Sequence, residues 1–448
     1  MPCLSSGGMG IRSIVFICIV LALAPWALAI SFGFPPRALI DELAAGLGLV
    51  ALAILMLEFF LSGRFRIISR HLGLDITIRA HQLLARFAAA FLLLHPFFYT
   101  TPILNYPLPD DLTRRFMLGL VPGSLVTGLL AWLLCFVLIV TAIFRDQIGY
   151  RYEVWRRAHG VGALLIVTLS SHHAIAAGRY SGEKLLASVW VILLAGAVLS
   201  LVWVYVVRPF QQWRRPYQVA SLRKVARKTW ELVIVPIGEH VLPYKAGQFV
   251  WLKVDACVFS LAEHPFSISS APDYGPSISF VIKELGDFTN EIGEVRLGAR
   301  AYLDGPHGHL SIKGRKGAGV ALVAGGVGIA PLLGILRQMA SENDPRPVTL
   351  VYGNRTVDQI AYADELADLG RRLNLKVDFV VGEPEADWPG RIGQLDSACI
   401  RSIFNFPEAR HWLYVICGPP KMIAPLTRTL RGMGVSSRNL ISERFTYD

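Results

Sequence analysis

His81 and His95 bracket the apolar run QLLARFAAAFLLL, and His159 stands in the same relation to the doublet His172-His173 across GVGALLIVTLSS. In a helix, the fourteen residues from His81 to His95 span about 21 Å, close to four whole turns, so both imidazoles share nearly one face. Two adjacent helices built this way would each offer an imidazole to an iron near either membrane surface, the ligation of two haems. Ionisable side chains inside a membrane span are costly and mark a functional path. A lone histidine there more often bonds a neighbouring helix's carbonyl. Paired histidines at matching separations on two helices favour metal ligation instead, His81 with His159 and His95 with His172 or His173. Successive helical residues differ by about 100°, so His173, fourteen residues from His159, keeps its face and is the expected outer ligand.

The elements that must carry these histidines follow from composition. The chain has 448 residues, of which 53% are hydrophobic and 17% charged, and its mean hydropathy is positive. That is too apolar for an ordinary soluble protein and too polar for one wholly in lipid. The long apolar runs end at about Val207, so a membrane half precedes a soluble half. Six spans are expected, at about Ile14–Phe34, Leu39–Leu61, Ile78–Phe98, Leu125–Phe144, Ala158–Ala177 and Leu185–Val207. The net charge of +11 sits largely beside these spans, where it sets topology rather than binding nucleic acid. Arg64, Arg66, Arg70 and Arg79, then Arg145, Arg151, Arg156 and Arg157, then Arg208, Arg214 and Arg215 mark the inner side. The soluble half is therefore expected in the cytoplasm, with His81 and His159 toward the inside. Arg12 and Ala27-Leu28-Ala29 imitate a cleaved secretory signal, but the apolar run continues to Phe34 and favours a retained helix. The six cysteines form no CxxC pair, so neither a zinc site nor an iron–sulfur cluster is expected.

From about Tyr217 to Ile312 short alternating runs such as Thr229–Pro236, Gly247–Val254 and Ser277–Ile282 predict a small antiparallel barrel. After Gly317 strands and helices alternate, with buried strands expected at Val320–Ala324, Val348–Tyr352, Lys376–Val381 and Trp412–Ile416, the pattern of a doubly wound parallel sheet. Its first strand and helix are joined by Gly325-Gly326-Val327-Gly328-Ile329-Ala330-Pro331. Gly325, Gly326 and Gly328 would let backbone approach a pyrophosphate at the helix start. A merely tight strand–helix turn is the alternative.

Further motifs follow one another in order: His264-Pro265-Phe266-Ser267, Lys283 to Thr289, Asp304-Gly305-Pro306-His307-Gly308, Tyr352 to Arg355, Cys417-Gly418-Pro419-Pro420 and Glu443-Arg444-Phe445. Their order and spacing resemble the ferredoxin–NADP reductase family over the whole soluble half, and the membrane half resembles the ferric reductase transmembrane domain. Together the chain resembles the NADPH oxidase and ferric reductase superfamily from the first span to the last residue. The resemblance implies that Ser267 bonds near flavin N5 and that Pro265 and Phe266 belong to the flavin site, Phe266 packing the flavin without the usual tyrosine hydroxyl. His264 replaces an arginine and weakens the charge pairing with the pyrophosphate, for which Lys283 and Thr289 would compensate. Thr289 equally suits a helix cap. Cys417 would stand near the nicotinamide C4, with Gly418 and Pro419 shaping that loop; a buried strand-end cysteine is the competing reading. Glu443 would orient the carboxamide and Phe445 would stack on the flavin, with Tyr447 a weaker candidate and an unstructured tail the alternative. Arg355 would grip a 2′-phosphate, favouring NADPH over NADH, unless it is a plain surface arginine.

The expected architecture is a multi-domain membrane protein. A six-helix transmembrane bundle (residues 1–210) precedes an antiparallel β-barrel for FAD (211–315) and an α/β doubly wound nucleotide domain (316–448). The expected function is transfer of electrons from cytoplasmic NAD(P)H through FAD and two b-type haems to an outer acceptor, in a multi-pass protein of the bacterial inner membrane. Oxygen, a ferric chelate and a periplasmic partner protein are all compatible acceptors. Two rival classes are a haem-free, membrane-anchored flavin reductase and a transporter or sensor whose soluble half binds nucleotide as a regulator.

Overall fold

The computed structural model of the chain describes residues 11–35, 37–62, 65, 74–100, 123–149 and 152–443. It forms two compact units, Met1–Val207 and Arg208–Asp448. The first holds α1 (Ile11–Ser31), α2 (Leu39–Ser62), α3 (Leu74–Thr100), α4 (Ser124–Ile143), α5 (Tyr152–Ala177) and α6 (Lys184–Val202). Among the described residues five helices are long and apolar enough to cross a membrane, the last running from Lys184 to Trp213 through a π-turn at Trp203–Val207. The expected first span coincides with α1, whose apolar stretch Phe16–Ser31 is shorter than a full crossing. Ala29, in the signal-like tripeptide, is buried in the bundle core.

α2 is the central helix, packed against α1, α3, α5 and α6. Small residues (Ala44, Gly46, Ala51, Ala53) are buried along it and let neighbours approach closely, as helices in lipid require. Ser200 of α6 donates to the Phe59 carbonyl at 2.8 Å, and Gly196 lies against the Phe60 ring. Outward-facing residues such as Phe136, Val161, Ile192 and Leu199 stay exposed, an apolar jacket suited to lipid rather than water.

The second unit contains two six-stranded sheets. The first comprises β1 (Tyr217–Ala226), β2 (Thr229–Pro236), β3 (Phe249–Val254), β4 (His264–Ser267), β5 (Ile278–Lys283) and β6 (Arg300–His307). All its pairings are antiparallel, in the order β4-β3-β6-β1-β2-β5. Ile268, just past β4, bridges Phe280 of β5 and draws the two edges together. Leu232, Ile234, Val250, Leu252, Phe280 and Ile282 fill the interior. β1 escapes a hydrophobic-pattern reading because Arg223 and Lys224 give its outer half a polar look.

The second sheet comprises β7 (Val320–Gly325), β8 (Val348–Thr356), β9 (Leu375–Glu383), β10 (Arg391–Ile392), β11 (Leu413–Cys417) and β12 (Leu440–Glu443). It is parallel throughout, in the order β10-β9-β8-β7-β11-β12. Helices α7 (Ile329–Ser341), α8 (Ala363–Arg372), α9 (Ser397–Ile403) and α10 (Pro420–Gly432) accompany it. Alternate residues of β7 feed opposite faces, Leu322 into the core with α7 and Val323 into the core with α10. Of the four strands read from apolar runs, β7, β8 and β11 are buried on both faces, whereas β9 is only part-buried, with Lys376 exposed.

Arg337 on α7 fastens the two sheets together. Its guanidinium makes two bonds to Glu365 of α8, at 2.6 and 2.8 Å, and one to the Ser269 carbonyl at 2.9 Å, and it lies 3.6 Å from Glu231 of β2. Arg337→Met leaves the Glu365 carboxylate without this cation, while Glu231 keeps Arg223 at 2.8 Å. Losing these charge-assisted bonds at a partly exposed pair costs about 1.5–3 kcal/mol and should lower the unfolding midpoint of this unit by on the order of 5 °C. Arg371→Ala, which breaks the exposed pair with Asp368, should leave the midpoint nearly unchanged. Equal midpoints for the two variants in a thermal scan of the full chain would contradict the assignment.

Candidate functional sites

In the membrane unit the histidines of α3 and α5 meet in two groups. His81 and His159 have ring centroids 6.4 Å apart with planes at 79°. Their orientation is built from neighbouring side chains. The Glu58 carboxylate of α2 is hydrogen-bonded to His81 Nδ1, and His159 stacks on Trp155, one turn earlier on α5, at 5.0 Å. His159 Nδ1 is buried with no hydrogen-bond partner.

At the other end lie His95 of α3 and His173 of α5. Each donates from Nδ1 to a backbone carbonyl, His95 to Ala44 at 2.7 Å and His173 to Ser124 at 2.8 Å. Glycines make room for both rings. A Cβ on Gly48 would meet the His95 ring at 3.0 Å, and one on Gly128 would meet His173 at 2.6 Å. His172 instead faces outward, with Nδ1 3.1 Å from the Thr127 hydroxyl. An imidazole whose Nδ1 is tied to an acceptor presents Nε2 to a metal. Among the described residues no three His, Cys, Asp or Glu converge on one point.

In the second unit, Ser267 of β4, Phe249 of β3 and His307 of β6 stand side by side in register. His264 stacks face to face on Phe288 at 4.3 Å, and Phe266 lies 6.2 Å from the same ring. His264, Pro265 and Phe266 are half-buried and Ser267 is buried, giving an aromatic surface beside a hydroxyl. Lys283 is the last residue of β5. The Thr289 hydroxyl accepts from the Leu285 and Gly286 N–H groups at 2.9 Å each, so it caps its own short helix.

The glycine turn after β7 interlocks with the Cys417-Gly418-Pro419 turn after β11. A Cβ on Gly328 would lie 2.2 Å from the Cys417 carbonyl oxygen, and one on Gly325 would meet Met422 at 2.7 Å and Pro419 at 3.0 Å. Gly418 packs with Gly325 Cα 3.1 Å from its own Cβ position. Gly326 differs: its φ of +55° requires a left-handed conformation and the space beside it is open. Ala324, Cys417 and Glu443 are adjacent in register across β7, β11 and β12. Cys417 and Glu443 are fully buried, and burial, with the Glu443 charge added, pushes the Cys417 thiol well above its ordinary range. The Glu443 carboxylate reaches Gly308, where a Cβ would meet it at 2.8 Å and Phe249 at 2.9 Å. Phe249 thus pairs with Ser267, Gly308 lies against both Phe249 and Glu443, and Cys417 neighbours Glu443 in register.

Arg355 stands apart near the end of β8, exposed and paired with Glu383 at 2.9 Å. Phe445 and Tyr447 lie outside the described residues. Sequence reasoning did not single out Glu58, Trp155, Phe288 or His307. Glu58 had a signal, an acid inside the apolar run Leu55–Leu61. Phe288 and His307 lay unremarked inside motifs already picked out. The latter is buried, with neither ring nitrogen hydrogen-bonded among the described residues, and lies 3.5 Å from Asp304.

Known proteins share this organisation in parts. Residues 47–170 match the family described as ferric reductase like transmembrane component, residues 205–314 an FAD-binding domain and residues 322–427 an oxidoreductase NAD-binding domain. The reductase component of propane 2-monooxygenase from Mycolicibacterium goodii is 26% identical over 239 residues, which are 51% of this chain and 67% of that protein. NADH-cytochrome b5 reductase 1 of Candida glabrata is 29% identical over 163 residues, 35% of this chain and 56% of that protein. The chain thus spans between about half and two thirds of these curated relatives. A flavohemoglobin from Malassezia yamatoensis, solved with FAD and heme bound, aligns over 98% of this chain and 100% of its own, with a TM-score of 0.51 and 16% identity, a likeness of fold. The chain joins a ferric reductase-like transmembrane component to FAD-binding and NAD-binding domains in one polypeptide, the composition of a ferric reductase/NADPH oxidase-type fusion.

Proposed function

We propose that this protein is a transmembrane oxidoreductase that carries electrons from NAD(P)H through FAD and two haems to an acceptor on the outer side, ferric iron or oxygen. The observation that carries the reading is the pairing of His81 with His159 across α3 and α5 in a chain that also holds FAD- and NAD-binding domains. Two imidazoles sharing one iron, with metal–nitrogen bonds of about 2 Å, have ring centres roughly 6 Å apart. His81 and His159 have that separation, 6.4 Å. His95 and His173 form the second pair. The glycines beside their rings and the Nδ1 bonds to Ala44 and Ser124 hold both imidazoles with Nε2 available for coordination.

The bound cofactors supply hydride acceptance at the flavin and one-electron transfer at the haems; the chain supplies binding and orientation. Ser267 sits where a hydroxyl can bond the reactive edge of the flavin, and His264, Phe266 and Phe288 form the apolar surface beside it. Gly325, Gly326 and Gly328, with the start of α7, receive the pyrophosphate of the nicotinamide coenzyme. Gly418 and Pro419 shape the nicotinamide side, Cys417 stays a neutral thiol against it and Glu443 orients the carboxamide. Lys283 contributes a point charge toward the flavin phosphates, and Phe445 covers the flavin face. The division into residues 1–210, 211–315 and 316–448, the six spans with α1 as the first, and the cytoplasmic placement of the soluble half in a bacterial inner membrane belong to the same reading.

The purified chain should carry two low-spin haems. His81→Ala and His159→Ala should each remove the same haem, His95→Ala and His173→Ala the other, and His172→Ala neither. Absorption spectra with quantified haem check this; a chain that binds no haem, or an unaltered spectrum in His173→Ala, would contradict it.

Arg355 is the residue we assign to the 2′-phosphate of NADPH, which would draw the guanidinium away from Glu383. A charge-assisted hydrogen bond of this kind contributes about 1.5–3 kcal/mol. Arg355→Ala should therefore lower kcat/KM for NADPH roughly tenfold to a hundredfold and leave NADH nearly unaffected. Steady-state kinetics with both coenzymes decide it, and an equal loss with both would remove Arg355 from coenzyme choice.

A further inference from the structure

Glu58 is an acid in the C-terminal part of the apolar helix α2, 6% exposed, where an ionisable group is costly unless something repays its desolvation. Its partner is His81 Nδ1, and its second oxygen, Oε1, has no hydrogen-bond partner among the described residues. The other end of the bundle is built differently. There the two Nδ1 groups go to the neutral carbonyls of Ala44 and Ser124, at 2.7 and 2.8 Å. Because His159 Nδ1 has no hydrogen-bond partner among the described residues, the difference between the two pairs rests on Glu58.

We infer that Glu58 is a positioning residue that would make His81 the more basic ligand and would set a haem held by the His81–His159 pair at a lower reduction potential than one held by the His95–His173 pair. The inference rests on the haem ligation proposed above. Coordination through Nε2 requires the proton on Nδ1, so the carboxylate is the acceptor. A charge-assisted hydrogen bond is roughly twice as strong as one to a neutral carbonyl, and a carboxylate behind a ligating imidazole raises its basicity. Greater donation from His81, with a negative charge close by, stabilises the ferric form over the ferrous form. Electrons arriving at the His81–His159 pair then pass downhill to the His95–His173 pair, so the acceptor on Nδ1 gives the path its direction.

The test is a potentiometric titration of the full chain with both haems bound, followed by visible absorption. Wild-type protein should titrate in two steps, and His95→Ala, which keeps the His81–His159 haem, should retain the lower one. Glu58→Gln keeps an acceptor oxygen and removes the charge. It should retain two haems per chain and move the lower step upward by about tenfold in the one-electron equilibrium, about 59 mV, leaving the upper step in place. An unmoved lower step, or an equal shift of both steps, overturns the inference. So does a His95→Ala protein that titrates at the upper step, whatever Glu58→Gln does. Wild-type protein without haem would instead refute the ligation on which the inference rests, and haem content reads that separately.

Discussion

An imidazole inside an apolar helix has polar nitrogens to satisfy and no water to satisfy them. The membrane unit is organised around that constraint. Each Nδ1 of His81, His95 and His173 is met by an acceptor from a neighbouring helix or helix start, namely Glu58, the Ala44 carbonyl and the Ser124 carbonyl. Such close approach is possible only where side chains are small, which accounts for Gly48 and Gly128 lying directly against two of the rings. Spacing along α3 and α5 sets the separation of the two pairs, and α2, the most enclosed of the membrane helices, supplies the acceptors for one histidine in each.

The second unit solves a different problem, bringing reactive side chains from two sheets to one place. Parallel strands end together, so β7, β11 and β12 deliver Ala324, Cys417 and Glu443 in a row. Glycine at 325, 328 and 418 lets the two adjoining turns interlock at distances no side chain could share. Gly308 at the end of the antiparallel sheet admits the Glu443 carboxylate beside Phe249, and Phe249 is in register with Ser267. Arg337, bonded across to Ser269 and Glu365, keeps those two edges together.

Much of this was legible in the residues. The apolar runs of β2, β7, β8 and β11 announced their strands to within a few residues, because burial on one face or both leaves a periodic trace. The fourteen-residue interval from His159 singles out His173, whose Nδ1 meets the Ser124 carbonyl, while His172 turns to Thr127. What stayed hidden depended on partners distant in sequence. β12 is four residues long and is a strand only because β11 lies beside it. Thr289 reads as a ligand or a cap until its hydroxyl is seen meeting two local N–H groups. Glu58 is 23 residues from His81, and no periodicity links an acid on one helix to an imidazole on the next.

Outward electron movement across an energised membrane is favoured by about 2.3 kcal/mol per 100 mV when the outer side is positive, so a directed path through paired histidines would run with the field. The most direct measurement uses proteoliposomes holding the full chain, with a ferric chelate trapped in the lumen and NADPH, which does not cross the bilayer, added outside. The account predicts reduction of the trapped chelate coupled to NADPH oxidation, abolished in His95→Ala while NADPH-driven reduction of an external flavin acceptor persists. Reduction confined to the NADPH side in the wild-type protein, or undiminished reduction of the trapped chelate in His95→Ala, would contradict it.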